Sequence, residues 1–452
     1  MTLTNERSER SSAPSGLPAV ERRTRIPAGF IAGGRAAGIK ASGRPDLALI
    51  ASAGEPLAAA AVFTPNTFAA APVRRSREVL TASSGWVRAV VSTSGSANAA
   101  TGRAGDEDQV RVGEIVAAAL GIEDLAVLHL STGIIGTRLP LDKVEAGIGV
   151  LALALAPTDA GLEAAATALR TTDTTTKAAT VTVALPQGAG GTCDVHVTGI
   201  AKGVGMIHPT MATMLSVILT DAAASPELLA SILRPAAART WNQLSVDGDT
   251  STNDTVFLLA SGASAADPVL AGTPAAGALA RAVEAVARDL ARQQAADGEG
   301  ATCLLTCQVT GAADDADARA VARAVISSSL VKAAAHGKDP NWGRIAGAAG
   351  NARLASAAVL EASGLDPEAA RTRAGTAATL DPERLRITIA GHLVFDDAGG
   401  GPQSFDRAAA REAMNTAEIT IHLDLGLGTG SGEGFGCDLT ETYVRENSEY
   451  TT

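Results

Sequence analysis

Apolar residues along the chain come in short runs of two different periods. Residues 47–52, 59–63, 87–92 and 125–130 are runs of small and β-branched residues bounded by Gly, Pro or Ser, which predicts strands. Residues 109–120 repeat their apolar positions every three or four residues, which predicts a helix, and the Ala-rich stretches 141–155 and 161–169 read the same way. Strands over 179–185 and 195–200 follow. The run Met214–Leu219 reads as helical, with Thr213 poised at its N-terminus. Helices near 226–243, 274–294, 315–327 and 405–416, and strands over 303–309, 386–389 and 418–425, complete the pattern. No repeat of fixed period and no regular strand–helix alternation occurs, so the expected fold class is α/β in mixed layers and not a doubly wound sheet. The longest apolar run, 148–156, is far short of the ~20 residues a membrane helix needs. Residues 1–25 are rich in Ser, Arg and Glu and lack the apolar region of a signal peptide; they are expected to be a disordered tail, with order starting at Ile26.

Composition narrows the picture modestly. The chain has 452 residues, 46% hydrophobic and 19% charged, which suits a globular protein, and aromatics are only 3%, so the core must be built from Ala, Val, Leu and Ile. Net charge is −11 and basic residues form only isolated pairs, Arg22-Arg23 and Arg74-Arg75, so no nucleic-acid partner is expected. Cys193, Cys303, Cys307 and Cys437 are spaced neither as a zinc ribbon nor as a disulfide framework, which predicts reduced thiols in a cytoplasmic protein and no metal site.

Candidate chemistry starts at Thr213. A Thr hydroxyl is a weak nucleophile until a base activates it, and a free α-amino group on the same residue can be that base. Breaking the Ala212–Thr213 bond would create that amine. Read alone, Thr213 is equally a helix cap. Ser131-Thr132-Gly133 lies where a strand opens into a turn, and backbone N–H groups there can face a developing oxyanion. Lys202 and Glu299 complement the carboxylate and ammonium of an amino acid. Thr171-Thr172-Asp173-Thr174, ahead of Lys177, reads as a polar helix-to-strand turn. His208, five residues before Thr213, has either a turn or packing role or polarises the cleavage site. The alternation of Asp247, Asp249 and Ser251 imitates a calcium loop but lacks its Gly and its closing Glu. The glycines of residues 426–432 lack the dinucleotide register.

The segment Lys202-Gly203-Val204-Gly205-Met206-Ile207-His208-Pro209, followed by Met211-Ala212-Thr213-Met214-Leu215, resembles the self-cleavage site of the ornithine acetyltransferase family, the bifunctional glutamate N-acetyltransferases. Asp297-Gly298-Glu299-Gly300-Ala301-Thr302, the blocks at 246–255 and 337–344, and the tail from Tyr443 to Thr452 extend the resemblance over residues 26–452. Two positions depart from the family pattern: Thr176 replaces a Pro, and Cys303 replaces a Lys.

The resemblance implies an α/β, mixed-sheet layered fold of the self-processing N-terminal-nucleophile type. It implies an alpha fragment of residues 26–212 and a beta fragment of residues 213–452 that stay associated, assembling as a homo-oligomer of such pairs. Thr213 would be the nucleophile after cleavage from Ala212, and Thr132 and Gly133 the oxyanion hole. Thr171, Lys202, Thr213, Glu299, Asn447 and Thr452 would bind substrate. The implied reaction moves acetyl from N2-acetylornithine to glutamate through an acetyl-Thr intermediate, with no cofactor; some members also take acetyl-CoA as donor. A related N-terminal-nucleophile amidase or aminopeptidase, with water as acceptor, is the alternative, and a secondary-pathway acyltransferase paralogue is another.

Overall fold

The computed structural model describes residues 16–208 and 214–448. Its strands are β1 (Phe30–Arg35), β2 (Leu47–Ser52), β3 (Leu57–Phe63), β4 (Trp86–Val87), β5 (Ala89–Ser96), β6 (Val127–Ile134), β7 (Lys177–Gln187), β8 (Gly191–Lys202), β9 (Leu215–Thr220), β10 (Leu244–Ser245), β11 (Thr255–Ala260), β12 (Leu304–Ala312), β13 (Arg386–Ile389), β14 (His392–Asp396), β15 (Gly401–Pro402), β16 (Glu418–Asp424) and β17 (Gly430–Cys437). The principal helices are α1 (Ala71–Ala82), α2 (Gly102–Leu120), α3 (Leu141–Ala152), α4 (Asp159–Leu169), α5 (Pro226–Arg239), α6 (Pro274–Ala296) and α7 (Asp315–Ser327).

Three mixed sheets result, ordered β1-β2-β5-β6, β4-β3-β11-β9-β8-β7 and β10-β17-β12-β16-β13-β14-β15. The first two stack. Ile50, Val90 and Leu128 of the first sheet share one core with Leu57, Val217 and Phe257 of the second, and Leu162 and Leu169 of α4 belong to the same core. The outer face of the first sheet is covered by α2 and α3 through Val112, Val116, Val144 and Ile148. The outer face of the second is covered by α5 and α6 through Leu229, Leu233, Val283 and Leu290. The order is therefore helices, sheet, sheet, helices, which buries one apolar face of every layer. The third sheet builds its own core with α7 through Leu305, Val309, Val321 and Val325.

Local sequence explains most helix boundaries. Ser225 accepts the N–H of Leu228 and Pro226 opens α5; Thr273 accepts the N–H of Ala276 and Pro274 opens α6; Asp314 accepts two N–H groups at the start of α7. The helices expected at 109–120, 141–155, 161–169 and 315–327 are all present, and that over 405–416 is the shorter Arg407–Ala413.

Two expectations change, and strands appear that the sequence reading did not contain, β11 and β17 among them. The helix at Met214–Leu219 is instead β9, wholly buried and paired to β8 on one side and β11 on the other. A six-residue apolar run fits a two-sided buried strand as well as a helix, and its two neighbours decide the matter. Its partner β11 is a second such run. The other added strand, β17, is formed by the glycines at 430–436: a Cβ on Gly432 would lie 2.7 Å from the Arg319 backbone nitrogen, and one on Gly434 3.1 Å from the Ala322 carbonyl carbon, so α7 lies directly on glycine backbone. The second changed expectation is the start of order, which precedes Ile26. Glu21 pairs with Thr180 on β7, and Arg22 forms an ion pair with Asp289 at 3.1 Å.

Candidate active site

Strand ends of the two stacked sheets converge on a cavity of about 300 Å³. At the end of β6, Thr132 and Gly133 form one wall. Gly133 has φ 131°, and a Cβ there would lie 2.4 Å from the Gly95 carbonyl carbon on β5. Only glycine fits that backbone and that spacing. Asn253 clamps the same corner, its Nδ2 donating to the carbonyls of Ala97 (2.7 Å) and Ser131 (2.9 Å).

Lys202 ends β8 and is nearly sealed, its Nζ donating to Thr132 Oγ1 at 3.1 Å. Its carbonyl accepts from Gln294 Nε2 (2.9 Å), and Gln294 accepts from the Trp241 indole (2.9 Å), so the core holds this strand end in place. Behind Lys202 lies a buried charge network. Lys177 Nζ donates to Asp173 Oδ1 (2.7 Å) and Asp297 Oδ2 (2.6 Å), while Asp173 accepts the N–H groups of Gly203 (2.8 Å) and Thr171 (3.1 Å). Burial alone would raise the Asp173 carboxyl; Lys202, Lys177 and the Gly203 N–H overcome it and hold it well below the usual carboxylate range. Burial lowers the Lys202 ammonium, with Asp173 and Glu299 opposing.

Glu299 lines the same cavity. Its N–H donates to the Val204 carbonyl (2.8 Å), and its carboxylate accepts from Thr172 Oγ1 (2.9 Å) and Asn447 Nδ2 (3.0 Å). Asn447 is on the helix Glu441–Ser448, which buries no residue. Thus six of the residues implied by the resemblance meet in one cavity: Thr132, Gly133, Thr171, Lys202, Glu299 and Asn447. Ala212, Thr213 and Thr452 lie outside the described residues; Met214 lines the cavity. Lys202 and Glu299 both line the cavity and form no ion pair with one another among the described residues, so the lining carries a cationic and an anionic group. That arrangement suits a ligand carrying both charges, and the walls expose hydroxyl and backbone groups where an oxyanion could be met.

His208 is held by Ser245 (Nδ1 to Oγ, 3.0 Å), where burial pushes its imidazole down to about 4. It lines two neighbouring clefts and is not among the residues of this cavity. Cys303 also lies elsewhere, buried beside Lys338 (3.7 Å) with its N–H on Asp438. Cys303 is not among the residues that line this cavity. Reading residues one by one missed Asp173, Lys177, Asp297, Asn253 and Asp254. They lie inside quoted motifs, but burial and partners, which give them their roles, are not local properties.

Stacked mixed sheets with helices outside, and a small charge-lined cavity at their strand ends, define a layered α/β enzyme class. Within it, the chain belongs to the ArgJ family, whose pattern matches residues 31–452. It is 44% identical over 428 residues to the arginine biosynthesis bifunctional protein ArgJ of Thermus thermophilus, covering 95% of this chain and 99% of that one. The Synechococcus protein of the same name is 46% identical over 435 residues, covering 94% and 96%. Among solved structures, ornithine acetyltransferase of Mycobacterium tuberculosis complexed with ornithine is 42% identical over 42% of this chain and 97% of that chain, with a TM-score of 0.38. No helix among the described residues is long and apolar enough to cross a membrane.

Proposed function

We propose that the chain is a self-processing acetyltransferase of arginine biosynthesis that moves acetyl from N2-acetylornithine to glutamate. The carrying observation is that Lys202 and Glu299 line one cavity together with Thr132 and Gly133. Lys202 takes the α-carboxylate of the amino acid and Glu299 its side-chain ammonium or the acceptor's amine. Thr213, freed from Ala212, attacks the acetyl carbonyl, and the oxyanion is met at Thr132 and Gly133. Ornithine leaves, glutamate attacks the acetyl-Thr ester, and N-acetylglutamate departs. Thr171, Asn447 and Thr452 complete the binding of the amino acid. The scheme uses no cofactor; acetyl-CoA would enter as an alternative donor only. The two fragments remain associated, because β8 and β9, on either side of the cleavage point, are neighbours in one sheet. We place the assembled alpha–beta pairs, as homo-oligomers, in the cytoplasm.

Intact-mass analysis and a transfer assay test this together. Scaling the 45.2 kDa chain by length predicts fragments of roughly 21 and 24 kDa, the larger beginning at Thr213. Thr213→Ala should stay one chain and form no N-acetylglutamate. Active wild-type protein without a fragment beginning at Thr213 would remove the mechanism.

A further inference from the structure

Asp254 is a buried titratable group of the cavity that the scheme above leaves unused. It directly precedes β11, where Thr255 N–H donates to the Met214 carbonyl (2.8 Å) and Thr255 pairs with Leu215. It therefore sits beside the start of β9, the strand that follows Thr213 in sequence. It lines the same cavity as Gly133, Lys202 and Glu299, yet is only 2% exposed. Its Oδ2 is sealed from solvent and has no hydrogen-bond partner among the described residues. A carboxylate oxygen without a donor is costly in such a place, whereas a carboxylic acid is tolerated. Burial accordingly raises this carboxyl well above its ordinary value, with Ser251 and Lys202 opposing. Lys202 on β8 is the charged group that acts on it, and Asp173, Lys177 and Glu299 act in turn on Lys202.

Acetyl transfer through an ester has a proton imbalance in each half. In the first, amide and Thr hydroxyl become acetyl ester and free amine, and the amine leaves as an ammonium, so one proton is taken up. In the second, the acceptor ammonium must lose a proton before its nitrogen attacks, and the ester returns to hydroxyl, so one proton is given back. Over the full cycle these cancel, but between the halves the proton has to reside somewhere.

Resting on the acetyl-transfer reading, we propose that Asp254 stores this proton within the cavity. Its carboxyl O–H bond breaks as the departing amine takes the proton. The carboxylate so formed persists beside the Lys202 ammonium while the acetyl-enzyme lives. An N–H bond of the acceptor ammonium then breaks, its proton re-forming the carboxylic acid and its electron pair staying on the nitrogen that attacks the ester carbonyl. The orphaned Oδ2 favours the acid at rest, against Ser251, whose contacts favour the ionised form.

The test is a single-turnover proton count on the cleaved wild-type protein. It is mixed at neutral pH with limiting N2-acetylornithine in weak buffer containing an indicator dye. Acetyl-enzyme is counted by intact mass at the same times. The expected wild-type result is acetyl-enzyme with almost no proton drawn from solvent; Asp254→Asn, once intact mass shows it cleaved, should draw one proton for each acetyl-enzyme formed. Uptake of one proton per acetyl-enzyme by the wild type overturns the proposal without need of the variant, as does a cleaved Asp254→Asn that acetylates with no uptake. If no acetyl-enzyme forms in the wild type, the acetyl-transfer reading itself falls and this proposal with it.

Discussion

The cavity has two walls of unlike construction. One part of the lining holds Gly133, Thr132 and Lys202 at strand ends of the stacked sheets, backed by Asn253, Gln294 and the buried Lys177–Asp173–Asp297 network. The other part of the lining holds Glu299, which projects from the turn after α6, has its N–H on the Val204 carbonyl and is met by Asn447 on a helix with no buried residue. The first wall can move only if the core moves. The second is tied down by a few hydrogen bonds, among them Thr440 Oγ1 to the Gly300 carbonyl at 2.8 Å. Groups that must meet a transition state gain from the rigid wall, since their geometry is set before substrate arrives. Groups that admit and release an amino acid suit the wall of lower local stability. Substitutions on the first wall should therefore damage turnover and stability together, and those on the second should damage binding alone.

The largest effect is expected at Gly133. Gly133→Ala should lower turnover by about 10²–10³, the loss of an oxyanion donor of ~2.7–4 kcal/mol. The structure adds a stability loss to this, because the new Cβ has no space beside Gly95. Unchanged turnover in soluble Gly133→Ala protein would remove that corner from the chemistry.

Next comes the network behind Lys202. Lys177→Met leaves Asp173 and Asp297 without their shared cation and should cost about 3–5 kcal/mol, read from the denaturant midpoint. The pH dependence has a definite sign. Asp173 is held below its unfolded value, so its contribution is complete above the ordinary carboxylate range and is lost as pH falls toward the depressed value. The penalty for Asp173→Asn should thus be greatest at neutral pH and shrink in acid; a penalty independent of pH would contradict the ion-pair account.

On the second wall, Glu299→Gln should raise KM for the amino acid by roughly 10- to 100-fold, the worth of ~1.5–3 kcal/mol for a charged hydrogen bond. Its melting temperature should barely change. A fall in kcat with KM untouched would place Glu299 among the groups that act in the transition state. The smallest effect is expected from deleting residues 447–452. Precursor cleavage should be spared and transfer to glutamate weakened several-fold, because the Asn447 bond to the Glu299 carboxylate is exposed and water replaces it, leaving mainly poorer positioning of the acceptor. Free acetate released at the same rate with or without glutamate, and no N-acetylglutamate, would favour the amidase reading.

Much of this molecule could be read from local pattern. The helix at Asp315–Ser327 and the strand at Arg386–Ile389 were legible because a period and a cap, or an alternation, are properties of neighbouring residues. The motifs holding Thr132, Gly133, Lys202 and Glu299 were equally visible, since each is a short contiguous string. Three decisions belonged to tertiary structure. The runs at Leu215–Thr220 and Thr255–Ala260 became strands because each found a partner on both sides, which no window of the chain contains. The glycines of Gly430–Cys437 became a strand because α7 comes to lie on their bare backbone. Asp173, Lys177 and Asp254 acquired their chemistry only on burial, which removes water and leaves each charge to whatever partner the fold supplies. Residue types and their spacing are written in the chain, whereas desolvation and pairing come into being only when distant segments meet.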